Sequence, residues 1–438
     1  LLIWMVLLIS PAALIADDWP QWFGTQRDGV WRETGIVKQL PKGGPKLRWK
    51  QTVGNGYAGP AVVNDRVYVC DRIAAKNQDP KSRKGIKAGE ERVLCLDDST
   101  GEIVWTFAYD APYTVQYAAG PRCTPVVNGE YLYTLGAEGQ LHCLTASNGE
   151  LVWAKQFLTE FDVKAPVWGF AGSPLVEGDQ LICLARGAGS TVVSFDKKTG
   201  AELWRAVTAN EPGYCPPTVL NHGGKRVLLI WHPEAMQGLD LASGKELWSI
   251  PWKIRYGLTA PTPRHVGNQL FFTSFYNGST MLSLGETARD EPIVAWQTER
   301  QSEKRTVHLN SIIGTPVFVD EHIYGGCSYG QFRCLQASDG KRLWESVKPI
   351  VGKEVRWGTV FITPHEDRYF LFSEIGELII ANLSPKGYNE LSRAKLIEPN
   401  GIDLRQRSVV WSHPAYANQS IYVRNDGEIR CYSLRADS

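Results

Sequence analysis

This chain of 438 residues has almost no net charge, no paired cysteine motif and little methionine. Its 47 basic and 46 acidic residues leave a net charge of +1, which argues against a broad binding surface for nucleic acid or an anionic membrane. The nine cysteines include no Cys-x-x-Cys motif and no adjacent pair, so metal and haem frameworks lack support, and an odd number does not suit a disulfide scaffold. Beside only three methionines stand 16 tryptophans, 17 tyrosines and 14 phenylalanines, a composition that suits many short strands.

An uninterrupted apolar run covers residues 1–15 and ends at Ala16, before the acidic pair Asp17 and Asp18. The run is typical of the apolar region and cleavage site of a signal peptide, here truncated and covering residues 1–16. A membrane anchor is the alternative, but a spanning helix needs roughly 18 apolar residues. We therefore expect a periplasmic or secreted protein with no membrane span after signal removal. No cysteine follows the expected cleavage site, which disfavours a lipid-anchored form.

A glycine followed four residues later by a tryptophan recurs along the chain. Successive tryptophans, counting Trp296, lie 48, 51, 44 and then twice 48 residues apart. A period near 48 residues marks a repeat architecture, in which each unit is too small to bury its own apolar face and stacks on its neighbours. The glycine and tryptophan pairs are Gly101/Trp105, Gly149/Trp153, Gly200/Trp204, Gly244/Trp248 and Gly340/Trp344.

The second repeat unit shows the local pattern in full. Four apolar or alternating runs, at residues 124–127, 131–134, 141–144 and 151–153, are separated by turns at Asn128-Gly129, Glu138-Gly139 and Asn148-Gly149. Asn-Gly is a strong hairpin signal, and three tight turns between four runs predict a four-stranded antiparallel meander. Each unit is therefore expected to fold as one small sheet.

The units can be counted from the residues that begin them, which are Pro60, Pro125, Pro174, Pro217, Pro261, Pro316, a position near Thr359, and Pro414. The last of the eight, residues 411–434, has only three strands, and residues 45–50 supply a fourth strand with no unit before it. Pairing the two would remove the open edges. The sequence thus predicts an all-β fold, an eight-bladed β-propeller of four-stranded antiparallel blades closed by an N-terminal strand. An open solenoid is the alternative, but it would need a capping repeat at each end.

This arithmetic divides the chain into the signal peptide (residues 1–16), an N-terminal extended segment (17–44) and the propeller (45–438). Unit one carries a charged insertion from Asp71 to Glu91, which we interpret as a solvated surface loop, with a partner site as the alternative.

Four cysteines occupy the same place in different units, so we expect them to be small buried packing residues. They are Cys95, Cys143, Cys334 and Cys431.

The phrases at residues 96–105 and 195–204, Leu-Asp-Asp-Ser-Thr-Gly-Glu-Ile-Val-Trp and Phe-Asp-Lys-Lys-Thr-Gly-Ala-Glu-Leu-Trp, resemble the quinoprotein or PQQ-like repeat. The resemblance covers residues 45–434, and the absence of a closing Trp-Asp dipeptide disfavours a WD40 array. In that family the outer-strand tryptophan docks against the neighbouring blade. The resemblance gives this structural docking role to Trp49, Trp105, Trp153, Trp204, Trp248, Trp296 and Trp344.

The PQQ-like family includes alcohol dehydrogenases that use pyrroloquinoline quinone (PQQ) and non-enzymatic members such as the BamB-like assembly proteins. The segment at residues 18–30 resembles the start of secreted PQQ-like propellers of planctomycete-type bacteria. The dehydrogenases are longer and carry an adjacent, disulfide-bonded cysteine pair over the cofactor, which this sequence lacks. Both departures weigh against the enzymatic branch.

Residues just before each inner strand are the candidates for a binding site, because in a propeller these connections cluster around one mouth of the central channel. Here they are aromatic and cationic, and such a ring could stack a flat, anionic or sugar-like ligand. Packing within the channel and against Trp19 and Trp22 is the alternative role. The ligand-binding candidates at this funnel mouth are Tyr57, Arg122, Trp168, Tyr214, Arg255, His308, Arg356, Trp357, Arg405 and Trp411.

No catalytic residue and no metal ligand is predicted. Residues Gly326-Cys327-Ser328-Tyr329-Gly330 match the nucleophile-elbow pattern, but they align with a hairpin turn rather than a strand-to-helix turn. The leading hypothesis is a non-catalytic scaffold that binds a protein partner or a small anionic or sugar-like ligand, without nucleic acid. The competing hypothesis is an oxidoreductase of an alcohol or sugar that uses PQQ with Ca²⁺, and a glycan-binding module is a third.

Overall fold

A computed structural model of the chain describes residues 17–75, 86–299 and 302–436. The expected signal peptide, residues 1–16, lies outside this part of the chain. Eight four-stranded antiparallel sheets follow one another along it, each with its strands in meander order. First strands of successive blades lie against each other, so they surround the central axis. The predicted eight-bladed propeller is confirmed.

The strand bounds follow the repeat closely. With the innermost strand first, blades 1 to 4 comprise Ala61–Val63, Arg66–Ala74, Gly89–Asp97 and Ile103–Asp110; Val126–Asn128, Tyr131–Leu135, Gln140–Thr145 and Leu151–Gln156; Leu175–Glu177, Gln180–Leu184, Val192–Asp196 and Glu202–Ala206; Thr218–His222, Lys225–His232, Ala235–Asp240 and Glu246–Pro251. Blades 5 to 7 comprise Arg264–Val266, Gln269–Ser274, Gly278–Ser283 and Ile293–Gln297; Val317–Val319, His322–Gly326, Phe332–Gln336 and Arg342–Ser346; Val360–His365, Arg368–Ser373, Glu377–Ser384 and Gly387–Lys395.

Blade 8 joins the two ends of the propeller. It comprises Ala415–Ala417, Ser420–Arg424, Glu428–Ser433 and, as its outer strand, Leu47–Thr52. Leu47–Thr52 runs antiparallel to Glu428–Ser433, with Trp49 opposite Cys431. The predicted closure by an N-terminal strand is therefore confirmed, and the open solenoid is not formed.

Little helix accompanies the strands. One turn of α-helix, Phe157–Glu160, a 3₁₀ turn, Arg255–Gly257, and a two-stranded hairpin, Gly401–Ile402 with Ser408–Val409, lie in connections between blades. Within the described residues, none of the helices has the length and apolarity that crossing a membrane requires.

The recurrent glycine makes room for the tryptophan of the preceding blade. Gly149 has φ +76°, and a Cβ there would stand 2.5 Å from Cε3 of Trp105 in blade 1. The Trp105 indole donates a 3.1 Å hydrogen bond from Nε1 to the carbonyl of Ala146, in the turn that contains Gly149. Glycine is required there on both counts, since an L side chain would be strained and would overlap the indole.

The same arrangement recurs around most of the ring. A Cβ at Gly101, Gly200, Gly244 or Gly340 would lie within 3 Å of the ring of Trp49, Trp153, Trp204 or Trp296, respectively. Indole Nε1 atoms donate to backbone carbonyls of the next blade, as in Trp153 to Lys197, Trp296 to Ala337 and Trp344 to Ser384. Trp204 instead donates to Oε1 of Gln180, whose Nε2 reaches the Leu241 carbonyl of blade 4. Trp248 is buried within blade 4 over Gly238.

The repeated cysteines lie opposite the tryptophans within each sheet. Cys143 is the cross-strand partner of Trp153, and the register of the pair shifts immediately afterwards at Leu144, a β-bulge. Cys95, Cys334 and Cys431 pair in the same way with Trp105, Trp344 and Trp49. All nine cysteines are buried and free. A small apolar side chain fits beneath the indole, which accounts for the position of these cysteines in the repeat.

The extended segment, residues 17–44, crosses the end of the channel where the first strand of each blade turns into the second. Trp19 exchanges two backbone hydrogen bonds with Val62 of blade 1. Further along, Trp31 N donates to Pro364 O of blade 7 and Val37 N to Leu434 O beside blade 8. We call this segment the N-terminal cap, since it ties blades together and closes that end of the channel.

Two local expectations are corrected. The insertion from Asp71 to Glu91 is not loop at its ends: residues 71–74 and 89–91 extend the second and third strands of blade 1. Asp71 and Glu91 are buried, whereas Ile73, Ala74 and Glu90 are exposed. The middle of the insertion, residues 76–85, lies outside the described residues. Asp71 accepts hydrogen bonds from Arg92 and from the backbone of Gly54, which accounts for the burial of its charge. The inner strand of blade 5 begins at Arg264, behind Pro263 rather than Pro261.

Candidate functional site

Links between blades form one end of the channel, which we call the mouth. A link leaves the outer strand of one blade and enters the inner strand of the next, so the meander order brings all the links to the same end, opposite the N-terminal cap. The turn between the second and third strands of each blade lies at this end too. Functional side chains can therefore converge here from several blades.

A cavity of about 250 Å³ occupies the mouth. Its wall is mostly aromatic and apolar, and Arg122 is the cationic residue among those that line it. Six of the ten predicted residues line it together: Tyr57, Arg122, Trp168, Tyr214, Trp357 and Trp411. Residues not predicted also line it, and the aromatic and imidazole members among them are Trp22, Tyr117, Tyr276, Phe361 and His413.

The cavity has a closed floor, which Trp22 of the N-terminal cap provides together with His413. The Trp22 indole donates to Oγ1 of Thr262 at 3.1 Å, and its ring lies 5.1 Å from the ring of His413. Burial lowers the pKa of His413 to about 4. Nδ1 of this neutral imidazole lies 2.6 Å from Pro414 O, so it carries the proton and donates it there, while Nε2 has no partner among the described residues. The imidazole is packed among the rings of Trp22, Phe23 and Phe361, so it helps to close the floor.

Tyrosines of the wall remain neutral. Burial raises the pKa of the Tyr57 and Tyr214 phenols above the ordinary value. Trp168 packs against Tyr214 with ring centroids 5.4 Å apart, and Trp411 packs against Tyr117 at 6.0 Å. The wall is a set of mutually supported rings, suited to a flat or apolar body.

The guanidinium of Arg122 is used to stabilise the cavity wall and is not free to bind an anion. Its guanidinium donates to the backbone carbonyls of Gly120, Gln116 and Tyr117, and lies 5.2 Å from the ring of Tyr57. These bonds satisfy most of its donors and fix the turn that carries Tyr117. The residue holds the link between blades 1 and 2 in shape.

The other predicted arginines lie around the cavity, above its wall. Arg356 forms an ion pair with Glu303 at 2.5 Å and covers the Trp357 ring, 4.7 Å from its centroid. Arg405 lies on the other link that reaches Trp357, with Cζ 5.6 Å from the ring centroid. Arg255 lies between the rings of Tyr256 and Tyr276, at 4.9 and 5.3 Å. Three predicted arginines therefore surround the opening without lining the cavity.

His308 lies elsewhere. Its ring packs 4.8 Å from that of Trp296, and Nδ1 lies 2.8 Å from Oγ1 of Thr298. Gly340 of blade 6 approaches it closely. The structure thus places His308 in the contact between blades 5 and 6 and does not bring it to the cavity wall.

Three aromatic residues of the mouth have left-handed backbone conformations. Tyr117, Tyr256 and Trp357, on three different links, have φ of 52°, 58° and 65°. Bulky L residues rarely adopt such angles, which cost roughly 1–3 kcal/mol each and persist where the surrounding structure over-determines them. Strain of this kind concentrates at binding and catalytic sites, which supports a functional role for the mouth.

The nucleophile-elbow pattern has no catalytic geometry. Ser328 is buried in the hairpin turn of blade 6, and its hydroxyl donates to the carbonyl of Glu303 at 2.7 Å. Across the described residues, no three histidine, cysteine, aspartate or glutamate side chains come together as a metal site would need.

The residues of the cavity do not fit PQQ with Ca²⁺. PQQ is a planar tricarboxylate, and its Ca²⁺ requires oxygen ligands, whereas no carboxylate is among the residues that line this cavity. The donors of Arg122, the cation of the wall, are directed to backbone carbonyls. We therefore derive no reaction step through that cofactor.

Comparison with known proteins agrees with the propeller. A family model described as outer membrane protein assembly factor BamB matches residues 89–346, more than half of the chain. BamB of Burkholderia pseudomallei is 25% identical over 245 residues, covering 53% of this chain and 58% of that protein. BamB of Moranella endobia is 24% identical over 261 residues, covering 56% of this chain and 62% of that protein. The matches thus span about three fifths of these relatives.

Solved structures extend the likeness over most of the fold. The crystal structure of BamB from Moraxella catarrhalis superposes with a TM-score of 0.55 at 16% identity, covering 89% of this chain and 98% of that one. A europium-containing methanol dehydrogenase gives a TM-score of 0.56 at 13% identity, covering 87% and 85%. At these identities the superpositions show a shared fold, and the family rests on the sequence match. The chain belongs to the BamB family of PQQ-like β-propellers.

Proposed function

We propose that this protein is a non-catalytic scaffold, periplasmic or secreted, that binds a protein partner at its channel mouth. The observation that carries the proposal is the aromatic cavity, which is open at the mouth and closed at its floor by the N-terminal cap. A closed floor makes it a pocket for an inserted side chain rather than a passage.

An exposed apolar rim around the cavity supports a protein partner. Five large apolar side chains on the links are between 41% and 60% exposed, and we call them the mouth rim: Val167, Tyr256, Val307, Ile402 and Leu404. Aromatic anchors in a desolvated pocket, surrounded by a more exposed rim, are the usual anatomy of a protein interface. Apart from Leu404, these side chains do not line the cavity, so a small ligand held inside it would leave them uncovered.

The names of the sequence relatives also support a protein partner. Their name, outer membrane protein assembly factor, suggests that the partner takes part in outer membrane protein assembly. The apolar run at residues 1–15 supports export to the compartment where that assembly occurs. Fractionation of the cells that make this protein tests the location, which a purely cytoplasmic signal would contradict.

Site-specific photo-crosslinking tests the binding face. A benzoylphenylalanine placed at Leu404, which is 41% exposed and lines the cavity, is expected to capture a discrete protein identifiable by mass spectrometry. Ile293 is the matched control, because it is 73% exposed but begins the outer strand of blade 5 at the opposite end. The captured protein should be lost when Trp357→Ala is added at the mouth. Equal capture at both positions would contradict the proposal.

The enzymatic hypothesis is tested in parallel. Purified protein is mixed with PQQ and Ca²⁺, and the absorbance of bound cofactor and alcohol-dependent dye reduction are measured. We expect neither. A bound cofactor that an alcohol reduces would overturn the non-catalytic assignment.

A further inference from the structure

Two arginines at the cavity opening have no carboxylate partner. Arg255 and Arg405 are exposed, lie on different links, and each covers a ring that lines the cavity, Tyr276 and Trp357 respectively. Arg255 donates to the phenol of Tyr256 at 3.2 Å. Neither guanidinium is within ion-pair distance of an acidic side chain in the described part of the chain.

Their lack of a partner is informative because the neighbouring arginines are paired. Arg186 pairs with Glu211 at 2.7 Å, Arg356 with Glu303, and Arg407 with the buried Glu374. Glu211, Glu303 and Glu374 are thus each used by another arginine. Two positive charges remain at the opening, where an arriving carboxylate can reach them bidentately.

The same side of the mouth carries further positive charge. Lys304 and Arg305 on the link into blade 6, and Lys353 on the link into blade 7, are exposed and form no ion pair that the described residues show. The exposed carboxylates of Glu299 and Glu354, on the same two links, offset two of these three charges, and the charges of Arg255 and Arg405 add to the remaining one. This side of the opening is therefore complementary to an acidic surface, although the net charge of the whole chain is only +1.

We infer that the partner segment is acidic and presents an aromatic side chain, whose ring enters the aromatic cavity while flanking carboxylates bind Arg255 and Arg405. This inference rests on the proposed protein-binding function and adds the chemistry of the segment that is bound. The mouth rim contacts the backbone and apolar atoms on either side of the inserted ring. The two arginines set the charge that the segment must carry.

Blocked tripeptides test the inference by isothermal titration at low salt against the whole protein. We expect Asp-Trp-Asp to bind, and Lys-Trp-Lys and Asp-Ala-Asp to bind at least roughly 10-fold more weakly. The double variant Arg255→Ala/Arg405→Ala should lose roughly 10-fold for Asp-Trp-Asp, since exposed ion pairs each contribute a few-fold in affinity. Arg289→Ala is the matched control, an exposed arginine in the connection at the opposite end of blade 5, and it should bind as the native protein does.

A second variant tests the insertion of the ring. Trp411→Ala, which removes an aromatic side chain from the cavity wall, should weaken the binding of Asp-Trp-Asp, and an unchanged affinity would contradict insertion. Thermal unfolding of each variant, compared with the native protein, shows that it is folded.

Equal affinity for Lys-Trp-Lys, or an unchanged affinity in the double arginine variant, would overturn the inference. So would the absence of any tripeptide binding, but a persistent crosslink at position 404 would then leave the proposed function standing. Loss of that crosslink together with binding of a reducible quinone would overturn the proposed function itself.

Discussion

Gly149→Ala isolates what the recurring glycine contributes to the ring. Gly149 lies in the turn before the outer strand of blade 2, with φ +76°, and a Cβ there would stand 2.5 Å from Cε3 of Trp105. Trp105 belongs to blade 1, so the added methyl group acts on a contact between blades. The nearest atoms are part of a rigid indole, which cannot yield as the end of a flexible side chain would.

The expected cost has two parts. Holding alanine in a left-handed conformation costs about 1–2 kcal/mol. Moving the indole aside overpacks the contact, at about 1–3 kcal/mol, and weakens its hydrogen bond to Ala146, which is worth about 1 kcal/mol. Together these reduce the free energy of unfolding by about 4 kcal/mol.

Gly129→Ala separates the two parts. Gly129 lies in the other Asn-Gly turn of the same blade, with φ +62°, and a Cβ there would meet nothing within 4 Å. We expect this variant to lose only the conformational part, about 1–2 kcal/mol. Urea unfolding at pH 7, followed by circular dichroism, measures both variants against the native protein. Equal losses of unfolding free energy in the two variants would refute the idea that Gly149 is required to make room for Trp105 of the neighbouring blade.

Three further predictions concern other parts of the molecule. Burial lowers the pKa of His142 to about 4, so only the unfolded chain takes up its proton between pH 6.5 and 4. Stability relative to a His142→Phe variant should therefore fall by about 3 kcal/mol on acidification from pH 7 to 4, measured by urea unfolding at each pH, and a constant difference would contradict the burial. Arg27 of the N-terminal cap donates to the carbonyls of Pro174 and Pro217, so Arg27→Met should reduce the free energy of unfolding by about 3 kcal/mol. The control Arg32→Met, at a more exposed arginine, should reduce it by less than about 1 kcal/mol. Similar losses for the two variants in the same assay would show that Arg27 does not tie blades together. All nine thiols are buried, and burial raises the pKa of Cys143 to about 12. Ellman's reagent should therefore react with none of them in the native protein and with nine after denaturation. A thiol that reacts quickly in the native protein would contradict this burial.

The fold could be predicted from the sequence because its determinants are local and repeated. Asn-Gly turns fix the hairpins of blade 2, and each glycine and tryptophan pair such as Gly149/Trp153 marks one blade of the ring. The division of blade 8 followed from counting strands, since one unit lacked a strand and residues 45–50 had none to pair with. Where the repeat is interrupted, the sequence is less informative: Asp71 and Glu91 have the polarity of a solvated loop but are buried, because partners distant in sequence satisfy their charges.

The cavity could be predicted only in part. Link position identified Tyr57, Trp168 and Trp411, since topology alone brings the links to one mouth. Tyr276 lies in a turn between second and third strands, which the same topology brings to the mouth, so its signal was available. Trp22 was considered only as a packing partner, because the N-terminal cap does not repeat and its path across the channel depends on contacts with several blades.

The orientation of the arginines was also beyond the sequence. Arg122, Arg255 and Arg405 read alike in their links, but one is bound to backbone carbonyls while the others are without an acidic partner. That difference depends on which carboxylates the fold has already used. It is also what gives the mouth a charge preference.

The outer strand of blade 8 has a consequence for how the protein is made. Leu47–Thr52 emerges from the ribosome first but pairs with Glu428–Ser433, after the 375 residues 53–427 have followed it. Pairings so distant in sequence form slowly, and until then both strands expose unpaired edges. Blades 1 to 7 can form during synthesis, whereas the ring closes only afterwards. Until the ring closes, the seam of blade 8 is therefore the place where two copies of the chain could pair edge to edge.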